Sequence, residues 1–257
     1  MGVRLALGGR RRIPAACDPD RSYPRGMPRG RPPSHWAAPD LGSLAWAVRI
    51  AQERFLTGDT SAVSSVRSLV LDSWNRSVRD GVDPGAEAPP LIWDEGTLAS
   101  ARDASRLRGA LPMIRSLLTD PVAGSGHVVA VGDDRGRLLW VEGDAGLRSR
   151  AEGIGFLPGA SWSESDAGTN APGTALTLDA PVQIFASEHF RGPVQPWSCT
   201  AVPIHDPHSG RVLGVLDVTG RAHVASPQAL AMVRATAMAV EQGLAAQQPA
   251  SAEVQLL

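Results

Sequence analysis

From Leu41 onward, apolar residues recur every three or four positions. In "LAWAVRIAQERFL" the residues Leu44, Val48, Ala51 and Phe55 share one helical face, which predicts an amphipathic helix. "GDTSAVSSVRSLVLDSWNRSVRDG" continues the same period through Val63, Val66, Val70 and Trp74, with Thr60 or Ser61 placed to cap it and Gly81 to stop it. "DPGAEAPP" then reads as a linker. A third helical stretch opens at Asp94 and carries Leu107, Leu111, Ile114 and Leu118; Pro112 is expected to divide it, because proline has no N–H for the preceding turn.

Beyond Asp120-Pro121 the period changes to two. "HVVAVGDDRGRLLWVEG" predicts a hairpin turning through Asp133 to Gly136, and "AGLRSRAEG" a short helix. "PVQIFAS" predicts a strand, and "WSCTAVPIHDPHSGRVLGVLDVTG" a second hairpin turning through Asp206 to Gly210. Ser226-Pro227 caps a last helix with proline at its tolerated first position, and Leu230, Val233, Ala237, Val240 and Leu244 line one side. Hairpin-linked strands with helices before, between and after them define an α+β domain, an antiparallel sheet covered by helices. No internal repeat is evident.

Composition narrows the chemistry. The apolar fraction of 43% and formal net charge of −1 suit an ordinary globular chain. All 25 basic residues are arginine. A chain without lysine has no Schiff-base lysine, no lysine general base and no phosphate-loop lysine. Residues 1–40 form an Arg/Pro/Gly-rich tail expected to be disordered, with Arg4, Arg10, Arg11, Arg12, Arg21, Arg25, Arg29 and Arg31. Such a tail could touch nucleic acid without sequence preference. No apolar run reaches the ~18 residues of a spanning helix, and the N-terminus lacks the form of a secretory signal. Cys17 and Cys199 make no disulfide framework, so the expected compartment is the cytoplasm and no membrane is implied.

"SWSESDAGTNAPGTAL", Ser161 to Leu176, is the segment most suggestive of function. Gly168 and Gly173 have phosphate-loop spacing, but Thr174 stands where lysine is required, which excludes that loop. His189, Cys199, His205 and His208 suggest metal, yet Cys199 and His205 lie roughly 20 Å apart along an extended strand. There is no Gly-x-Ser-x-Gly elbow, and Glu164 and Asp166 suit backbone hydrogen bonding as well as acid-base work. A pocket remains: backbone amides and short hydroxyls from the segment, with apolar walls from Trp162, Phe185, Phe190 and Trp197. The same aromatics could be plain core and the same glycines plain turns; both readings stand on these residues alone.

Taken together, "SWSESDAGTNAPGTAL", "SEHF" and "PWSCTAVPIHDPHSGRVLGVLDVTG" resemble the sensory GAF domain of acetoin-regulator-type transcription activators and their actinobacterial relatives. "LVLDSWNRSVRDGVDP" resembles the helical leader before that domain. The resemblance implies a GAF-like central antiparallel sheet of five or six strands flanked by helices. It places a helical leader at 41–119, the sensory domain at 120–246 and a tail at 247–257. It also implies a small organic effector, with pocket candidates Trp162, Glu164, Gly168, Thr169, Asn170, Gly173, Glu188, His189, Phe190, Trp197 and Cys199. In that reading Asn170 orients a polar group, Thr169 and backbone amides donate, and the tryptophans close the site. No cofactor is expected. Family members commonly carry an ATPase or other output domain and a helix-turn-helix, whereas this sequence is expected to lack both, as a truncated gene product, a fragment, or a sensor acting through a separate DNA-binding or transcription partner. The terminal helices are expected to pair in a homodimer, although their stripes could equally cover their own sheet. The rival reading is an enzyme, a GAF-fold reductase of free methionine sulfoxide using Cys199.

Overall fold

The computed structural model describes residues 41–59, 63, 66–119 and 126–247. The expectations for the 1–40 tail, for Cys17, for the Thr60/Ser61 cap and for residues 248–257 lie outside these residues.

Helix α1 (Leu41–Leu56) buries Val48 and Ala51, whereas Leu44 is exposed. Helix α2 (Ser68–Arg79) begins later than the apolar spacing predicts. Arg67 is extended (φ −59°, ψ 137°) because its guanidinium is held elsewhere, on the Glu188 carboxylate and the Gln183 carbonyl. Val66 is still buried, but ahead of the helix. Gly81 (φ 74°) ends α2 as expected, in the left-handed region that glycine tolerates. The buried stripe of α2 is Val70, Ser73, Trp74 and Ser77, so two hydroxyls face inward beside the apolar pair.

Helix α3 (Glu95–Ala104) is capped by Asp94, which accepts from the Thr97 N–H at 2.7 Å. The division expected at Pro112 falls instead at Ser105 (φ −73°, ψ 126°), whose hydroxyl caps a 3-10 turn, Arg106–Ala110. Pro112 is the second residue of α4 (Leu111–Ile114), where a missing N–H costs nothing. A π turn, Arg115–Thr119, follows. Leu107, Leu111, Ile114 and Leu118 are all buried despite these changes of winding.

The sheet comprises β1 (His127–Asp133), β2 (Leu138–Gly143), β3 (Val182–Phe185), β4 (Ser198–His205) and β5 (Val212–Gly220). Its order is β2-β1-β5-β4-β3, with every pair antiparallel. Between the hairpins run α5 (Ala145–Glu152), α6 (Glu164–Ala167) and α7 (Ala171–Leu178), and α8 (Pro227–Gln247) closes the domain. Five strands and helices on both faces make this a GAF-like α+β fold.

Side chains alternate across the strands, so each strand supplies two layers. One face presents Val129, Val131, Val202, Ile204, Leu216 and Val218, covered by α4, the 3-10 turn before it and α8. The α8 stripe Val233, Ala237, Val240 and Leu244 is spent here, on its own sheet, rather than on a second copy. The other face presents Val128, Ala130, Val182, Ile184, Cys199, Ala201 and Val215 in two clusters. Helices α1, α2 and α7 cover the first cluster; α5, α6 and the Phe156–Trp162 segment cover the second. The leader therefore straddles the sheet: α1 and α2 on one face, Leu107 to Leu118 on the other.

Candidate functional site

The glycine-threonine-asparagine segment starts where the β1–β2 turn meets it. The Trp162 N–H donates to the Gly136 carbonyl at 2.8 Å. The Trp162 indole is buried, donates to the Gly155 carbonyl at 3.0 Å and meets Phe156 edge-on at 4.9 Å. Ser163 caps α6, and Glu164 follows, only 4% exposed. Its carboxylate accepts from Arg76 Nε at 2.6 Å and Nη2 at 3.0 Å, from Thr174 Oγ1 at 3.0 Å, and from the Ser73 hydroxyl. Ser73 also lies 2.6 Å from Thr169 Oγ1. A buried carboxylate is tolerable only when paired and hydrogen-bonded, and Glu164 meets both conditions using the leader's own residues.

Asn170 caps α7. Its Oδ1 accepts from the Gly173 N–H at 2.8 Å, and its Nδ2 donates to the Gly168 carbonyl at 2.7 Å. The role of orienting a polar guest is thus taken by its own backbone. Both glycines serve close approach. A Cβ on Gly173 would lie 2.5 Å from the Glu164 nitrogen, and one on Gly168 (φ 72°) 2.8 Å from the Phe190 Cβ.

The second block locks onto the first. The Phe190 N–H donates to the Thr169 carbonyl at 3.1 Å. Glu188 accepts from Arg67 Nε and from the Phe185 N–H, each at 2.7 Å, while its own carbonyl accepts from the Trp74 indole at 2.8 Å. Gln52 of α1 donates to the His189 and Phe190 carbonyls. His189 is fully buried, and burial pulls its pKa down to about 4 against the backbone contact with Ala186. The neutral ring directs Nδ1 at the Ala186 carbonyl, 2.9 Å away. Since a carbonyl only accepts, the proton sits on Nδ1 and Nε2 is a bare acceptor, buried and without a partner.

Trp197 and Cys199 complete the candidates, both buried. Burial, reinforced by the Asp217 charge, pushes the Cys199 thiol well up. A nucleophilic cysteine needs the opposite environment, so the reductase alternative finds no support. The eleven pocket candidates lie in the interior, whereas Phe185, expected as a wall, is half-buried and belongs to none of the apolar clusters. Trp162 and Trp197 share one apolar cluster, Phe190 and Cys199 the other, and the polar members bond chiefly to one another and to α2.

Two sets escaped sequence reasoning. Ser73, Arg76, Ser77 and Arg67 of the leader supply half of the polar network; the visible signal was serine at i and i+4 inside the α2 apolar stripe. Asp217 is the other, an acid within the otherwise apolar "VLGVLDV". It is fully buried, its pKa raised to about 8 by burial, and Oδ1 has no partner. Among the described residues no group of three or more His, Cys, Asp or Glu could hold a metal. His205 is instead held between Asp179 and Glu241, at 2.7 and 3.1 Å. Open grooves lie outside this interior. One of about 360 Å³ exposes the rim of Glu164 and Gly173 beside Arg76 and Arg79. Another, of about 670 Å³, lies between Trp93, Arg106, Arg137 and Asp206 and includes none of the predicted residues.

The sheet order, the covering helices and this layered interior define a GAF-like domain. More narrowly, the chain belongs to the family described as "MimR, N-terminal domain", whose model matches residues 45–242. It is 48% identical over 181 residues to an uncharacterised 47.3 kDa protein encoded in the thcA 5′ region of Rhodococcus erythropolis, covering 70% of this chain and 41% of that protein. It is 33% identical to the acetoin dehydrogenase operon transcriptional activator AcoR of Bacillus subtilis, covering 76% and 32%. It is 32% identical to the propane 2-monooxygenase operon transcriptional activator MimR of Mycolicibacterium smegmatis, with the same coverage. The chain thus spans about a third to two fifths of these relatives' lengths. Among solved structures, the Escherichia coli DhaR(N)–DhaL complex matches with a TM-score of 0.63 at 23% identity, over 69% of this chain and 61% of that one. Among the described residues no helix is long and apolar enough to cross a membrane.

Proposed function

We propose that this chain is the sensory part of a transcription regulator, in which a small organic effector enters the layer between the sheet and α6–α7. The observation that supports this reading is a set of buried polar atoms without partners: His189 Nε2, Asp217 Oδ1, and Nε and Nη1 of Arg191. Native interiors satisfy nearly all such atoms, so the unsatisfied ones are open to a water, an ion or a guest. The candidate residues from Trp162 to Cys199 build the walls of that layer, and the polar ones hold its cover in place.

Signal transfer follows from Glu164. It connects the cover to Ser73 and Arg76 of α2, so displacement of α6 or α7 pulls on the leader. We further propose that the chain acts in the cytoplasm without catalysis or cofactor, works through an output segment or a separate DNA-binding partner, and forms a homodimer. The α8 surface left for pairing carries Met232 and Met238. A monomer by light scattering at tens of micromolar counts against that last element.

A thermal-shift screen with a small-metabolite library tests the effector reading, because a ligand bound only by the folded state raises stability with the logarithm of its excess over Kd. The expected result is a hit whose shift is lost in His189→Phe, a variant that keeps its own cooperative melt. Hits that stabilise both proteins equally contradict it.

A further inference from the structure

We infer that His205 is a proton-operated joint between α7 and α8. With both ring nitrogens protonated it ties together two helices that cover opposite faces of the sheet; with one protonated it holds only one of them. The joint needs no effector, so it stands or falls apart from the reading above.

Two departures from regular geometry meet at this imidazole. Alternation along β4 puts His205 on the side of Cys199 and Ala201, which α7 covers, while Val202 and Ile204 face α8. Between Ile204 and His205 the ladder slips: Ile204 pairs with Gly214 and His205 with Val212, leaving Leu213 over. Such a bulge re-aims a side chain, and the His205 ring touches residues of both covering helices. Asp179, which ends α7, is left-handed (φ 48°, ψ 47°) and holds its carboxylate 2.7 Å from Nε2. Glu241 of α8 takes Nδ1 at 3.1 Å, and the same oxygen accepts the His205 backbone N–H at 2.8 Å. The other charged groups around the ring are Arg234 of α8, which lines the same hollow of about 150 Å³, and Asp206, His208 and Arg211 on the adjoining turn. Asp206 is held by Arg106 and by the His208 N–H, so it does not compete for the ring.

Proton counting decides the state of the joint. Carboxylates only accept, so both contacts are hydrogen bonds when an imidazolium supplies two N–H groups. A neutral ring supplies one. With the proton on Nε2, the Nδ1 lone pair stands 3.1 Å from the Glu241 oxygen; with it on Nδ1, the Nε2 lone pair stands 2.7 Å from Asp179. One helix is repelled whichever tautomer forms. The shorter contact, with Asp179, keeps the single proton, so α8 is the helix released. Burial lowers the His205 pKa, but the two carboxylates together raise it, so the second proton stays on to higher pH than in an ordinary histidine. Joined, α7 cannot shift without loading α8 on the far face. Parted, its movement stays on its own face, with Glu164 as the route to α2.

The test reads amide exchange and imidazole ¹⁵N shifts at about pH 5.5 and about pH 8.5, in the wild type, Asp179→Gly, His205→Gln and the double variant. Glycine accepts the left-handed backbone at 179 and removes only the carboxylate. Amides of β1 are the reference for global stability, and the His205 ring signals are those lost in His205→Gln. At the higher pH, Asp179→Gly should move the ring to the Nδ1–H tautomer. It should also slow exchange from Ala237 to Leu244 about threefold or more, the size that a partly exposed ion contact supports. At the lower pH the same substitution should leave α8 unchanged, because the imidazolium serves Glu241 with or without Asp179. In the His205→Gln background it should do nothing at either pH. A merely structural contact behaves otherwise, since loss of Asp179 does not tighten a helix that it does not touch. Asp179→Asn, which also tolerates φ 48° and can donate to Nε2, carries the same prediction if the glycine variant does not fold. Exchange in α8 that ignores the substitution at the higher pH, or changes equally at both pH values, overturns the joint, as does an unmoved tautomer. None of these outcomes bears on effector binding, which the metabolite screen tests separately.

Discussion

Ser73 and Glu164, which are 91 residues apart, share a buried hydrogen bond that joins the leader helix α2 to the start of α6. Around it Arg76, Thr169 and Thr174 complete a network that no single segment could satisfy alone. Removing one member leaves the others buried and short of partners. Glu164→Gln is expected to cost about 2 kcal/mol and Ser73→Ala about 1 kcal/mol in urea unfolding. The double variant should cost clearly less than the sum, since each change removes the same bond. Additive losses would mean the two residues act independently.

Close approach, rather than turn geometry, governs Gly173. Alanine there meets the Glu164 nitrogen and Trp162 oxygen at 2.5–2.6 Å, both backbone atoms. We expect Gly173→Ala to destabilise by about 2–4 kcal/mol or to abolish folding. Gly210→Ala, at φ 68° in open space on the β4–β5 turn, should cost only about 1 kcal/mol. Equal losses from the two would remove the packing argument.

Asp217 and His189 give opposite pH dependences. Asp217 has a folded pKa of about 8, above its unfolded value, so its contribution is fully present in acid and is lost as pH rises towards 8. His189, with a folded pKa of about 4, contributes fully above its unfolded value near 6.5 and loses that contribution as pH falls to about 4. Asp217→Asn should therefore gain on the wild type as pH rises from 5 to 8, by on the order of 1 kcal/mol per unit. A gap that stays constant across urea melts in that range would mean the acid is ionised in the folded protein.

His205 supplies a third titration, between the end of α7 and α8. Burial lowers its pKa, but the Asp179 and Glu241 carboxylates outweigh that and raise it. Its stabilisation is present below the ordinary histidine value and is lost as pH rises through the raised one. Amide exchange along α8 near Glu241 should quicken between pH 6 and pH 8 beyond the intrinsic effect of base, and not do so in His205→Gln. Matching profiles would show that the clasp carries no weight.

Much of the fold could be read from periodicity. Both hairpins, the opening of a helix at Asp94 and the α8 stripe follow directly from spacing and turn chemistry. The start of α2 did not, because Arg67 is held extended by Glu188 more than a hundred residues away. The break falls at Ser105 rather than at Pro112, because proline is tolerated near the start of a new helix, where its missing N–H is not needed. For the site, the sequence marked the correct segments but could not assign their hydrogen bonds. Asn170 reads equally as a ligand contact or a cap until Gly173 is placed beside it. Ser73 and Ser77 lie on the stripe that Val70 and Trp74 already define, but nothing in the sequence says that their hydroxyls meet Glu164 and Thr169.

Signal transfer requires the leader to respond to what happens beneath α6 and α7. Hydrogen exchange of α2, with and without a metabolite found by thermal shift, tests this most directly. Altered protection from Ser73 to Arg79 on ligand addition, lost in Glu164→Gln, is the predicted result. Protection that changes only around Trp93 and Arg106, with α2 untouched, would place the effector in the outer groove and contradict the account.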